Sequence, residues 1–214
     1  TELLDLHVPC GYGRGNENLA LSTIHQIFHA EHDRLVDYIK NVLTTDTSGT
    51  GVTALAQWQL PTSENPDGWN GERLFQAARF VTEMEYQHLV FEEFARKLVP
   101  AIHPFHVYSP DVNPAIDAEF AHAVYRFGHS MLNDTVARTN ITLDAGGSIA
   151  TRVDNSTPLL HAFLNPPELF NQGGTCDVIT GVSCNGSPLL SAQAGAGAVV
   201  MGSSDQIGNE LDEF

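Results

Sequence analysis

"AVYRFGHSML", residues 123–132, sets Arg126 and His129 three positions apart. On a helix the two side chains share one face. Gly128 precedes the histidine and lacks a side chain, which lets a bulky group approach the backbone closely. Neutral imidazole is a good axial ligand for haem iron. A guanidinium one turn away suits a haem propionate, through a charge-assisted and often bidentate contact. Alone, the stretch reads more often as a packed core histidine. The rest of the chain has to decide.

The chain has 214 residues, enough for one substantial domain or two small ones. Hydrophobic residues make up 42% and charged residues 17%, a globular balance rather than a disordered one. The formal net charge is −16, from 10 Lys+Arg against 26 Asp+Glu, and such a surface repels a nucleic-acid backbone. No stretch is apolar enough and long enough to span a bilayer. The opening "TELLDLHVPCGYG" is acidic and does not read as a signal peptide, so any signal is expected to be removed or to lie upstream. Cys176 and Cys184 flank "TCDVITGVSCNG", which a disulfide would close as a small loop if geometry allows. Such a bond implies an oxidising compartment and leaves Cys10 free or paired with another chain. Sequons begin at Asn133, Asn140, Asn155 and Asn185 and permit glycosylation in a protein secreted from a eukaryote.

Apolar periodicity predicts a helix over about residues 18–43, carried by Leu21, Ile24, Ile27, Phe28, Leu35, Tyr38 and Ile39. A second is predicted over 71–98, stopped by Pro100. The third is predicted over 114–133, with Pro114 in its first turn. Residues 44–70 read as a linker broken by Gly, Pro, Ser and Asn, and a short helix is expected over "STPLLHAFL". The tract 171–204 reads as a glycine-rich loop region, and a last helix is expected to begin within "SSDQIGNELDEF". The fold class is therefore mostly α, with long loops.

Two further patterns compete for the chemistry. "IHQIFHAEHDRL" places His25, His29 and His32 on one helix face, a geometry competent for metal binding. Ordinary hydrogen bonding also satisfies such histidines. Glu85/His88 and Glu119/His122 form two Glu-x-x-His motifs, as in carboxylate-bridged di-iron bundles, with Glu17 or Glu31 available for the remainder. The even four-helix spacing of that fold is missing.

Four blocks in order tip the balance. "VYRFGHS", preceded by "NPAIDAEFAHA", resembles the proximal-histidine helix of the animal-type haem peroxidases. "RGNENLALSTIHQIFHAEHDRL" resembles the family stretch with Arg-x-x-Glu, then His-Thr-Leu, then Arg-Glu-His-Asn-Arg-Leu. "WNGERLFQAARFVTEMEYQHLVFEEFARKLVP" resembles the helix that follows, and "GNELDEF" a later segment. The resemblance implies a partial haem peroxidase domain over 1–214, incomplete at both ends, whose haem-facing helices are the three predicted above.

It also implies roles. Arg14 matches the catalytic distal arginine, and Glu17 the glutamate that can form an ester with a haem methyl. His129 matches the iron ligand, and Arg126 the propionate partner. The cofactor implied is haem b, ester-linked where Glu17 reacts. Calcium belongs to the intact domain, but its loop has no counterpart in this chain. The distal histidine that moves the peroxide proton is expected before Arg14, and His7 is too close to serve. A second polypeptide carrying that histidine is therefore one expected partner. The Asn that orients the proximal histidine is expected beyond Phe214. Asn18 stands where some members carry a Met bonded to a haem vinyl, so that link is not expected. Ala30 and Asp33 replace the Arg and Asn of the family's Arg-Glu-His-Asn. The activity implied is oxidation of a small donor (halide, phenol or aromatic amine) by hydrogen peroxide, in a secreted protein. Alternatives are a peroxidase-like adhesion or matrix module without turnover, a fatty-acid dioxygenase of the same fold, and the non-haem di-iron protein. Tyr125 is a weak candidate for the radical tyrosine of the dioxygenase, because it points away from the His129 face.

Overall fold

The structure, a computed structural model, describes residues 13–63, 68–171 and 190–209. Its chain separates into two compact units, one built from residues 1–27 and 113–214, the other from residues 28–112. Cys10, His7, Cys176, Cys184, Asn185 and residues 210–214 of the stretch expected to begin a last helix lie outside the described residues.

Helix α1, Leu19–Thr45, contributes its start to the first unit and its remainder to the second. Asn18 opens it: its side-chain oxygen accepts from the Ala20 amide at 2.8 Å, and its carbonyl accepts from the Ser22 amide at 2.9 Å. An Asn at this position satisfies amides that have no partner within the helix.

In the second unit, α2 spans Gly49–Trp58 inside the stretch read as a linker. Ser48 caps it through the Gly51 amide at 3.0 Å. Two glycines in the first turn hide this helix from composition, because glycine marks loops more often than helices. Asn70 caps α3, Gly71–His88, through the Arg73 amide at 3.1 Å. The helical path continues as a π-helical stretch, Leu89–Ala95, and ends in the short α4, Arg96–Leu98. Leu35, Leu74 and Ala78 are buried here. Phe28 meets Tyr86 edge-on at 5.3 Å between ring centres, and His32 packs on Phe75 at 4.8 Å. Many apolar side chains of the same periodic faces, including Phe80, Phe91 and Phe94, remain exposed.

The first unit holds the larger core: Leu19, Val136, Ala162, Leu169, Phe170 and Val199. Strand β1, Thr135–Val136, pairs antiparallel with a later strand, Thr157–Pro158. Between them, β2, Thr139–Leu143, and β3, Ile149–Asp154, form an antiparallel hairpin. Thr157–Pro158 is thus β4. Asp144 builds the hairpin turn by accepting from the Gly146 and Ser148 amides at 2.8 and 2.9 Å. Gly147 completes the turn at φ 81°, a value glycine adopts without steric cost.

Expectations are corrected in two regions, 114–164 and 171–204. The helix predicted over 114–133 is absent as such. Residues 113–117 have no regular structure, α5 covers only Ala118–His122, and Ala123 breaks the path at φ −125°, ψ −70°. Val124–Met131 then winds as a 3₁₀ helix. Helical stability comes mainly from packing an apolar face. Here Ile116, Phe120, Val124 and Tyr125 stay exposed, so that support is missing. The expected helix over "STPLLHAFL" likewise shrinks to a 3₁₀ turn, Leu159–Ala162.

The second correction concerns 171–204, read as a glycine-rich loop region. Ala192–Asp205 forms helix α6, capped by Ser191 through the Ala194 amide at 3.1 Å. Its glycines are contact positions. A Cβ on Gly195 would collide with the Leu169 carbonyl, and one on Gly202 would reach the Ala137–Arg138 backbone at 2.5 Å. Helix and chain approach so closely only because those side chains are missing. Among the described residues no helix is long and apolar enough to cross a membrane.

Candidate functional site

Arg14, Glu17, Arg126 and His129 all belong to the first unit. The structure brings them together as two pairs.

Arg14 and Glu17 form one turn, closed by the Glu17 amide donating to the Arg14 carbonyl at 3.0 Å. Core contacts brace this turn from behind. The buried Ser22 hydroxyl donates to the Gly15 carbonyl at 2.9 Å. The Leu164 amide donates to the Glu17 carbonyl at 2.7 Å, and Asn18 bridges Phe163 in antiparallel fashion. Leu19, next in sequence, is 1% exposed at the centre of the core. The Arg14 side chain is exposed, and Glu17 is half-buried. Leu164 sits at φ 52°, a left-handed conformation unusual for leucine. Its strain stands next to the Glu17 carbonyl.

Arg126 and His129 occupy the 3₁₀ helix. In that geometry residues three apart eclipse one another, so the two side chains still share a face. Arg126 Nε donates to the Ala121 carbonyl at 3.2 Å. Its terminal nitrogens have no hydrogen-bond partner among the described residues, which leaves the guanidinium fork open. His129 is exposed, and a Cβ on Gly128 would meet nothing within 4 Å. Tyr125 packs instead on Phe120, at 5.3 Å between ring centres. Downstream, the chain is held by the last described residues. The Asn209 side chain donates to the Leu132 carbonyl at 2.6 Å, and the Gln206 side chain to the Thr135 carbonyl at 2.9 Å.

These donors fit a haem. An open imidazole, an arginine fixed by one nitrogen with its fork unoccupied, and free space at the intervening glycine are compatible with an axial ligand beside a propionate. The other two constellations fare differently. His32 Nε2 lies 3.2 Å from the Phe75 carbonyl oxygen, and its ring packs on Phe75. Glu85, His88, Glu119 and His122 are exposed. Among the described residues, no group of three His, Cys, Asp or Glu side chains is arranged to hold a metal ion.

Sequence reasoning missed a buried polar network in the first unit. The Arg138 side chain is 0% exposed and donates to Glu168 Oε1 at 2.8 Å and to the Asn171 carbonyl at 2.5 Å. Asn171 in turn donates to Glu168 Oε2 at 3.1 Å. Burial pushes the Glu168 carboxyl up, against the opposing pull of Asn171 and Arg138. Burial also pushes the Arg138 guanidinium down, despite its partner. Nothing in "TVARTNITL" distinguishes this arginine from a surface one.

Comparison with known proteins supplies the remaining context. The profile of the family described as animal haem peroxidase matches residues 7–190. The chain is 29% identical over 182 residues to the human "Probable oxidoreductase PXDNL", covering 81% of this chain and 10% of that protein. It is 26% identical over 194 residues to human lactoperoxidase, covering 86% of this chain and 23% of that protein. Its fold matches Peroxidase A from Dictyostelium discoideum with a TM-score of 0.59 at 20% identity, over 98% of this chain and 30% of that one. The chain thus spans about a tenth to under a third of the proteins it resembles. With more than half of its length matched by the family profile, the chain belongs to the animal haem peroxidase family.

Proposed function

We propose that the chain is part of a secreted haem peroxidase domain spanning 1–214, which uses hydrogen peroxide to oxidise a small donor. The observation that carries the reading is the pairing of Arg126 with His129 on one open 3₁₀ face, inside the residues matched by the family. Haem, when bound, supplies the redox chemistry.

The protein groups then have distinct tasks. His129 would hold the iron through its imidazole, and the Arg126 guanidinium would pair with a propionate. The bound haem would supply peroxide cleavage, which leaves negative charge on an oxygen. Arg14, positioned by the Ser22-braced turn, stabilises that charge as it develops. Glu17 provides the carboxylate that can esterify a haem methyl. The peroxide proton requires a general base within reach of Arg14. A Cys176–Cys184 disulfide would support secretion, because it implies an oxidising compartment.

The test is an absorption spectrum of the purified protein supplied with haem, with and without His129→Ala. A Soret band that vanishes in the variant, together with peroxide-dependent oxidation of a phenol, is the expected result. An unchanged haem spectrum in the variant overturns the ligand assignment. A Soret band without turnover favours the peroxidase-like module instead.

A further inference from the structure

We infer that Asn140 on the β2–β3 hairpin is a site of N-linked glycosylation, and that the sequons at Asn133 and Asn155 are not. The inference is independent of haem and rests on strand geometry.

Side chains alternate between the two faces of a strand, and directly opposed residues of an antiparallel pair share a face. The register pairs Asn140 with Val153, Ile141 with Arg152 and Thr142 with Thr151. Arg152 reaches Asp205 of α6 at 2.6 Å, which marks the Ile141/Arg152 face as the one toward α6. Asn140 and Thr142 therefore lie together on the opposite face. The Thr142 and Thr151 hydroxyls meet there at 2.6 Å, as a same-face pair must. Val153, opposite Asn140, is 51% exposed, and all of β3 is exposed. The Asn140 carboxamide makes no hydrogen bond among the described residues. Asn140 is half-buried and shares its face with the exposed Thr142, so an extended Asn-x-Thr places its amide and its hydroxyl side by side.

The other described sequons lack this presentation. Asn133 spends its amide nitrogen on the Ile207 carbonyl at 2.8 Å, so a sugar on that atom would displace the 206–209 segment. In Asn155-Ser156-Thr157 the threonine is 5% exposed, which puts its hydroxyl in the interior. Asn185 lies outside the described residues.

The reaction needs a lipid-linked oligosaccharide as donor. Asn140 Nδ2 loses one proton and bonds to the anomeric carbon of the first N-acetylhexosamine. The bond from that carbon to the lipid diphosphate breaks, and the lipid diphosphate leaves. The glycan then covers the Val153 face of a two-stranded sheet whose outer edges have no strand partner among the described residues, where edge-to-edge association would otherwise begin.

The experiment routes the full chain through the secretory pathway of a eukaryotic cell behind a cleavable leader. Peptide-N-glycosidase digestion in heavy-oxygen water, followed by peptide mass spectrometry, reads each site. Label is expected at Asn140 and not at Asn133 or Asn155. Asn140→Gln and Thr142→Ala each lose the same glycan, Thr142→Ser keeps it, and Thr151→Ala keeps it while removing the hydroxyl pair. An unmodified Asn140, or occupancy at Asn133 or Asn155 equal to that at Asn140, overturns the inference.

Discussion

The two pairs of proposed haem residues are built in opposite ways. Arg14 and Glu17 lie on a turn that a buried serine, a bridging strand contact and the central core leucine hold in place. Arg126 and His129 lie on an exposed 3₁₀ helix, tied mainly by its own local hydrogen bonds. One pair is fixed by tertiary contacts before any ligand arrives. The other lies on an exposed segment, with the Arg126 side chain held by the Ala121 carbonyl five residues before it. Pre-organised donors cost no reorganisation at the moment of reaction, which suits an arginine that must meet developing charge. A cofactor ligand tolerates more freedom, because the bond it forms provides the restraint.

The contrast can be broken at its strongest point first. His129→Ala is expected to abolish the haem Soret band while leaving thermal stability nearly unchanged, since the exposed imidazole supports no core contact. A large drop in melting temperature would show that the segment is structural. Next in size, Arg14→Ala should retain haem and slow the reaction with peroxide by about 10²- to 10³-fold, the range for losing one charge-stabilising donor. Stopped-flow absorbance measures it, and an unchanged rate removes Arg14 from the mechanism.

Ser22→Ala probes the brace itself. It leaves the buried Gly15 carbonyl without its donor, at a cost of about 1–3 kcal/mol in denaturant unfolding. The matching change on the other side, Arg126→Gln, removes an exposed side-chain bond to the Ala121 carbonyl and should stay within about 0.5 kcal/mol. Equal costs would erase the distinction between the two regions. The smallest effect is expected from Leu164→Gly. Relief of the left-handed strain is offset by glycine's extra freedom in the unfolded chain, so stability should rise by less than about 1 kcal/mol. Loss of stability would mean that the exposed Leu164 side chain has a packing role.

Legibility in the sequence follows the same divide. Long helices with apolar periodicity could be read, because α1 and the 71–98 path are specified locally and end at Asn18, Asn70 and Pro100. The Arg126/His129 spacing was equally local. The broken helix over 114–133 was not legible: periodicity reports an apolar face, not whether anything covers it, and Phe120, Val124 and Tyr125 are left exposed. The hairpin had a usable signal in "TNITLDAGGSIATRVD", two β-branched runs around Asp-Ala-Gly-Gly-Ser. Its short strands were submerged in a mostly helical pattern. Ser22, Arg138 and Glu168 carried no mark at all, since their partners lie 7 to 33 residues away and are chosen by the tertiary fold.

Helix α6 bears on how this chain can vary. Gly195 and Gly202 are filled by neighbouring backbone, whereas Gly197, on the same helix, faces open space. Composition treats the three alike. A saturation library would separate them sharply: the first and last should reject even alanine, while the middle one should accept most residues and gain helix propensity by doing so. The tract that looks most permissive on paper thus contains two of the least replaceable positions in the molecule.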